Sequence, residues 1–233
     1  MIQLKNVRKS FKDKLALGNL SIQIKAGEIY GLLGSNGAGK STTINLILGF
    51  YKPDFGHVEV KGLNPNDNKE KTRSTIGYIP ENVNLYTYLS GLENLDYFCK
   101  LAGLVYSKSE LKEILITCGL NENVLNKRVG TYSKGMRQKV GIAIAVAKKA
   151  NIYLLDEPAS GLDPAASNEL SSILKKIATE GATVLLASHD IFRVRETCDR
   201  IGILKDGQML REILAQDVTS NELENIYLDY MRN

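Results

Sequence analysis

No window of this 233-residue chain approaches the roughly 20 consecutive apolar residues that a membrane-crossing helix requires, so the chain is expected not to cross a bilayer by itself. The first residues, MIQLKNVRKSF, lack the apolar core of a secretory signal. Cysteine is sparse: Cys99, Cys118 and Cys198 lie far apart, are odd in number and form no C-x-x-C pair. That argues against a disulfide framework and for reduced thiols of a cytosolic protein. There is no polybasic tail and no block of like charge, and the net charge is only +4, so charge gives no argument for a nucleic-acid partner. Heptads, internal repeats and low-complexity linkers are missing as well, which removes coiled coils and solenoids.

What remains is an ordinary globular composition, 43% hydrophobic and 24% charged. The length suits one large domain or two small ones, with a core that needs no staples. IQLKNVRKSF and KLALGNLSIQIKAGE alternate loosely and read as two β segments. GEIYGLLGSNGAGKST reads as an apolar strand, a glycine loop and a helix start, the helix carrying Ile44, Leu46, Ile47 and Leu48. YKPDFGHVEVKG is a turn and a short strand, PNDNKEKTRS a polar connection, and IGYIP another short strand. From about 81 to 150 the texture is helical, and Ser109 ahead of Leu111, Ile114 and Leu115 reads as a capped amphipathic helix. Apolar runs then return in NIYLLDEP and ATVLLASH, each ending in polar residues. Buried strands alternating with helices imply an α/β core with a parallel sheet, interrupted by a helical insertion.

Gly34-Ser35-Asn36-Gly37-Ala38-Gly39-Lys40-Ser41, with Thr42 next, matches G-x-x-x-x-G-K-[ST]. Glycines let backbone N–H groups close around phosphates, Lys40 reaches the β and γ phosphates, and the Ser41 hydroxyl takes a position on Mg2+. The strand before and the helix after supply the context this loop needs. The loop implies a nucleoside triphosphate without naming an enzyme class.

IYLLDEP places Asp156 and Glu157 at the C-terminal end of a buried strand, the edge where open α/β sheets bind ligands. Asp156 is expected to complete the metal shell with Ser41. Glu157, one residue on, points another way and is placed to orient or deprotonate a water. His189 closes the neighbouring strand at the same edge, within reach of a γ phosphate. ASGLD reads as a turn and a helix start. A second loop, TYSKGMRQKV, feeds a helix whose free N–H groups make a second anion seat, carried by Ser133 and Gly135.

Taken together, the phosphate loop, GYIPENVNLY, YSKGMRQ, IYLLDEP, SGLD and SHD resemble, in order and spacing, the ATPase subunits of ABC transporters, and YSKGMRQKV with Glu81 resembles the export-type group among them. The resemblance covers almost the whole chain. It implies a P-loop core with a mainly parallel sheet and an N-terminal antiparallel β subdomain (1–80 and 151–215). It also implies a helical subdomain over 81–150 and a C-terminal helix over 216–233, with no long regulatory domain behind it. It implies ATP and Mg2+ as ligands and a head-to-tail pair of subunits, a second copy or a related chain. In that pair Ser133 and the Gly135 N–H meet the γ phosphate held by the other subunit, and Asp163 lies at the same interface. It further implies a membrane-spanning partner that holds this chain at the cytoplasmic face, with Tyr86 and Tyr88 on the docking surface; Phe98 in the same stretch reads more simply as a helix-core side chain. Phe11 matches an aromatic that stacks on adenine; a plain core side chain is the other reading of that position.

Two motifs depart from the family's pattern, at Tyr132, Lys134 and Met136 in one and at Glu81 in the other. Where LSGGQ is commonest, this chain has Tyr132-Ser133-Lys134-Gly135-Met136. Lys134 adds a cation near an anionic ligand and gives up a glycine's backbone freedom. Where the family usually has Gln, this chain has Glu81, which is expected to ligate Mg2+ and to bring negative charge near the γ phosphate. The leading expectation is an ATPase subunit that powers a separate membrane transporter, export being the direction favoured. The alternative is a soluble ABC-type ATPase acting on DNA or ribosomes. A GTPase would need N-K-x-D, and the nearest string, Asn126-Lys127-Arg128-Val129, lacks the aspartate.

Overall fold

A computed structural model describes residues 1–232. In chain order the elements are β1 (Ile2–Phe11), β2 (Lys14–Ile24), β3 (Ile29–Leu33), α1 (Lys40–Ile47), β4 (Phe55–Val60), α2 (Lys69–Ser74) and β5 (Ile76–Ile79). There follow α3 (Gly91–Leu101), α4 (Lys108–Thr117), α5 (Lys134–Ala147), β6 (Ile152–Asp156), α6 (Pro164–Thr179) and β7 (Thr183–Ser188). The chain continues through α7 (Ile191–Thr197), β8 (Arg200–Lys205), β9 (Gln208–Leu214) and α8 (Ser220–Arg232).

Two sheets form. One is antiparallel, in the order β2-β1-β4; the other runs β5-β6-β7-β3-β8-β9, parallel except for the antiparallel edge strand β9. The period-2 alternation of the central strands sorts their side chains into two cores. Ile29, Leu33, Tyr153, Leu155, Val184 and Leu186 face the helices α3 to α7. Tyr30, Leu32, Ile152, Leu154, Leu185 and Ala187 face α1 and the antiparallel sheet. Strands buried on both faces therefore read as continuous apolar runs, as IYGLL and IYLLD do.

Register sets up the site. On β7, Ser188 pairs with Leu33 of β3 on one side, and Ala187 pairs with Asp156 of β6 on the other. The loops that leave β3, β6 and β7 thus emerge side by side at one C-terminal edge.

The helical section contributes Leu95, Cys99, Leu111, Leu115, Tyr132 and Val140 to the same core that the helix-facing side of the sheet lines. The Tyr132 hydroxyl donates to the Val124 carbonyl at 2.7 Å. A Cβ at position 91 would lie 2.5 Å from that hydroxyl, so Gly91 is required by close approach. Among the described residues no helix is long and apolar enough to cross a membrane.

Several local expectations change. The cap of α4 is Ser107, not Ser109: Ser107 Oγ accepts from the Glu110 N–H while Glu110 accepts from the Ser107 N–H, a reciprocal box the later serine cannot close. The polar connection contains a short helix, α2, anchored by Thr72, whose hydroxyl bonds back to the Asn68 carbonyl. Phe98 is half-buried within an aromatic cluster, 5.5 Å from Tyr97 and 6.2 Å from Tyr86, rather than in a helix core. Leu223, Ile226, Tyr227 and Tyr230, spaced i, i+3, i+4 and i+7 along α8, share one face and pack on the helical-side core.

Candidate active site

The loop after β3 wraps the start of α1. Gly39, the residue before the helix, has φ of 112°, and a Cβ there would sit 2.8 Å from the Ala16 carbonyl; only glycine fits. Gly37 also has positive φ, at 85°. Ser35, Asn36, Gly37, Gly39, Lys40, Ser41 and Thr42 line a cleft of about 320 Å³. Phe11, Lys14 and Ala16 close it from the antiparallel side, and Glu81, Asp156 and Glu157 close it from the sheet edge. Gly34 and Ala38 stand behind this wall: Gly34 N–H donates to the Ser188 carbonyl at 3.2 Å, and Ala38 is buried with its N–H on the Ser35 carbonyl.

Lys40 is buried, and its ammonium donates to the carbonyls of Gly34 at 2.7 Å and Ser35 at 3.1 Å. It also lies 3.1 Å from Glu157 Oε1. The other oxygen of Glu157 is gathered by His189 Nδ1 at 2.9 Å, the Ser188 hydroxyl at 3.2 Å and the His189 N–H at 3.3 Å. Burial pushes the Glu157 carboxyl up, but His189 and Lys40 outweigh it and hold the group below its ordinary value, so it stays ionised. Glu157 has φ of 48°, a left-handed conformation that costs a residue of this kind about 1–3 kcal/mol. Its N–H is tied to the Ala187 carbonyl at 2.9 Å, so the turn and the side chain are fixed together.

Asp156 behaves in the opposite way. Burial raises its carboxyl above the ordinary value and nearby Glu157 adds to this, while Ser41 and Lys40 pull it back. Its Oδ1 is buried with no hydrogen-bond partner among the described residues. A buried, orphaned carboxylate oxygen beside the Ser41 hydroxyl fits a hard divalent cation. Among the described residues no cluster of three or more His, Cys, Asp or Glu could hold a metal. Mg2+ does not need one, because it is held by one or two carboxylates together with substrate phosphates.

Glu81 is half-exposed on the cleft wall, with Ser160 Oγ donating to its Oε1 at 3.1 Å and Lys134 Nζ at 3.7 Å. Lys134 therefore faces a side chain of its own chain. It is the first residue of α5 and lacks positive φ, so lysine costs no backbone strain there.

Ser133, Gly135 and Asp163 are not brought into the cleft. Ser133 caps α5, accepting from the Met136 N–H at 3.2 Å, and Gly135 is buried in the first turn. Asp163 caps α6, accepting from the Ala166 N–H at 2.9 Å. Phe11 stands at the cleft mouth, edge-to-face with Tyr51 at 4.9 Å. Two residues beside the site escaped the sequence reading. Ser188 carries no pattern signal. Gln138 does: it falls with Gly135, Ile142 and Ala145 on the buried face of α5, and a polar residue on an apolar stripe needs a partner.

Comparison with known proteins agrees with this geometry. The ABC transporter family pattern matches residues 17–160. The linearmycin resistance ATP-binding protein of Bacillus subtilis is 36% identical over 90% of this chain and 68% of its own length. The Nod factor export ATP-binding protein I of Burkholderia lata is 34% identical over 95% of this chain and 73% of its own. A dimeric ATP-binding cassette, solved in a post-hydrolysis state with ADP and Pi, superposes with a TM-score of 0.82 at 32% identity, covering 92% of this chain and 99% of that one. A loop that cradles phosphate, a carboxylate pair at the sheet edge and these relatives lead to one conclusion: the chain belongs to the ABC transporter family, as one of its ATP-binding, ATP-hydrolysing cassettes.

Proposed function

We propose that this chain is the ATP-hydrolysing subunit of an exporter, pairing head to tail with a second cassette and driving a separate membrane-spanning partner. The observation that carries the hydrolytic part is Glu157, an ionised carboxylate held between Lys40 and His189 at the mouth of the phosphate loop. Lys40 binds the β and γ phosphates; a triphosphate competes with Glu157 for its ammonium. The water oxygen attacks the γ phosphorus, its proton passes to Glu157, and the bond from that phosphorus to the bridging oxygen breaks, leaving ADP and phosphate. His189 and Ser188 keep Glu157 aimed while Lys40 is engaged elsewhere. Ser41, Asp156 and Glu81 would hold Mg2+, which when bound neutralises charge on the β and γ oxygens. Phe11 stacks on the base.

Ser133, Gly135 and Asp163 lie outside the chain's own cleft, which supports a role for them toward the nucleotide of a second subunit. Export is supported by the name of one relative, the Nod factor export protein. Tyr86, Tyr88 and Tyr97 are exposed and form one aromatic cluster with the half-buried Phe98, which supports docking to the cytoplasmic side of the membrane partner. The domain reading remains that of a core over 1–80 and 151–215 and a helical segment over 81–150, with the terminal helix beginning at Ser220 rather than at 216.

The test is gentle solubilisation of membranes from the native source with this chain tagged. A stoichiometric multi-spanning protein is the expected companion. Recovery only from the soluble fraction, with DNA or ribosomes attached, overturns the transporter reading and leaves the ATPase.

A further inference from the structure

One turn into α5 from the Ser133 loop, Gln138 is 2% exposed. Its amide nitrogen points at three main-chain carbonyls: Glu81 at 3.1 Å, Pro158 at 3.2 Å and Pro80 at 3.4 Å. Two of these belong to the segment leaving β5, and the third to the segment leaving β6. Both segments reach the cleft within one residue, through the side chains of Glu81 and Glu157. Pro80 and Pro158 have no N–H of their own, so the main chain there has fewer ways to be anchored. The amide oxygen of Gln138 is buried with no hydrogen-bond partner among the described residues. The side chain is therefore used as a donor only: two N–H groups are shared among three acceptors.

We propose that Gln138 is a positioning residue for hydrolysis, the joint through which α5 sets the main chain of Glu81 and the main chain next to Glu157. A shift of the α5 N-terminus, where Ser133 and Gly135 lie, is passed by one amide to both walls of the cleft. The amide tightens or loosens the two carboxylate-bearing segments together, because both hang on the same nitrogen. This rests on the reading of Glu81 and Glu157 given above. It adds a mechanical path from the second anion loop to the water-activating carboxylate.

The donor-only geometry gives a test that a packing role would not pass. Gln138→Met keeps length and removes the donors. Gln138→Glu keeps shape and sets a carboxylate against three carbonyl oxygens. Gln138→Lys keeps a donor and has no acceptor. At a temperature well below each variant's Tm, Gln138→Met and Gln138→Glu should lose at least tenfold in kcat for ATP, with KM within about twofold of the parent. Gln138→Lys should stay within about threefold in kcat. Hydrogen exchange is the second readout, with a non-hydrolysable ATP analogue as the probe. In the parent the analogue should change protection over residues 133–137. In Gln138→Met it should bind equally well and leave those residues unchanged.

A Gln138→Met protein that is less stable but keeps kcat and the exchange response overturns the proposal. So does a folded, nucleotide-binding Gln138→Lys protein that fails as badly as Gln138→Met. If Gln138→Met does not fold, Gln138→Lys decides: kcat within threefold sustains the joint, and a tenfold loss in a folded protein removes it. Glu157→Gln is measured in parallel. Wild-type turnover in that variant defeats the reading of the site, while the exchange comparison still decides whether Gln138 transmits.

Discussion

Lys134 Nζ lies 3.7 Å from Glu81 Oε1, so one departure in each of the two motifs at which this chain differs from its family faces the other. The side chains are 27% and 48% exposed, which puts the pair in the range of about 0.2–1 kcal/mol. Its consequence lies in competition. A carboxylate shared with an ammonium is a poorer metal ligand than a free one. Lys134→Ala should lower the Mg2+ concentration for half-maximal ATP hydrolysis by up to about fivefold. In a Glu81→Gln background the same substitution should have no such effect. High salt should shrink the difference, because an exposed pair is screened. An unchanged Mg2+ requirement in Lys134→Ala counts against the coupling.

Glu157→Gln should bind ATP and hydrolyse it about 10²–10⁴-fold more slowly, since it keeps the shape of the side chain and removes the proton acceptor. The ion contact with Lys40 weakens at the same time, which favours phosphate as the partner of that ammonium. An ATP-bound dimer should then accumulate, visible as a rise in sedimentation coefficient on adding ATP. A variant that stays monomeric at high protein and ATP concentration argues against the head-to-tail pair.

Phe11→Ala tests which of two roles that side chain has. It stands at the cleft mouth, 39% exposed, leaning on Tyr51. A stacking contact with a base is worth about 1–3 kcal/mol, so ATP affinity should fall about fivefold or more. The ATP-to-GTP preference should barely move, because any base offers a π face. A drop in Tm with unchanged nucleotide affinity would assign Phe11 to packing alone.

The sequence made the local parts of this site legible and left the couplings hidden. The phosphate loop is contiguous from Gly34 to Ser41, and its backbone demands are written as glycines. Asp156 and Glu157 were legible because a buried strand ends on them. The contact between Lys134 and Glu81 spans 53 positions, and no periodicity or composition carries such a pairing. The same holds for Gln138, whose three acceptors are carbonyls, and a carbonyl leaves no residue-type signal. Ser107 and Ser109 show the limit at short range. Both precede an apolar stripe, and only the glutamate three residues after Ser107 decides which one caps α4.

Asp156 sets function against stability, and pH separates the two. Its folded-state carboxyl is raised above the ordinary value, chiefly by burial, so the ionised form costs folding free energy at neutral pH. Asp156→Asn removes that cost and should raise Tm at pH 7, by roughly 2–4 °C for each kcal/mol gained in a chain of this size. Metal-supported ATP turnover should fall steeply in the same variant. As pH drops through the raised folded value and then below the unfolded value of about 3.9, the wild-type carboxyl becomes neutral in both states, and the advantage of asparagine should vanish. Glu157 has the opposite sign. Its lowered carboxyl contributes stability above its unfolded value of about 4.3 and loses it as pH falls through the folded value. Melting curves of wild type, Asp156→Asn and Glu157→Gln across acidic and neutral pH should therefore diverge in opposite directions at pH 7 and converge in acid. A less stable Asp156→Asn at pH 7 would mean that the orphaned Oδ1 has a partner that stabilises the charged form.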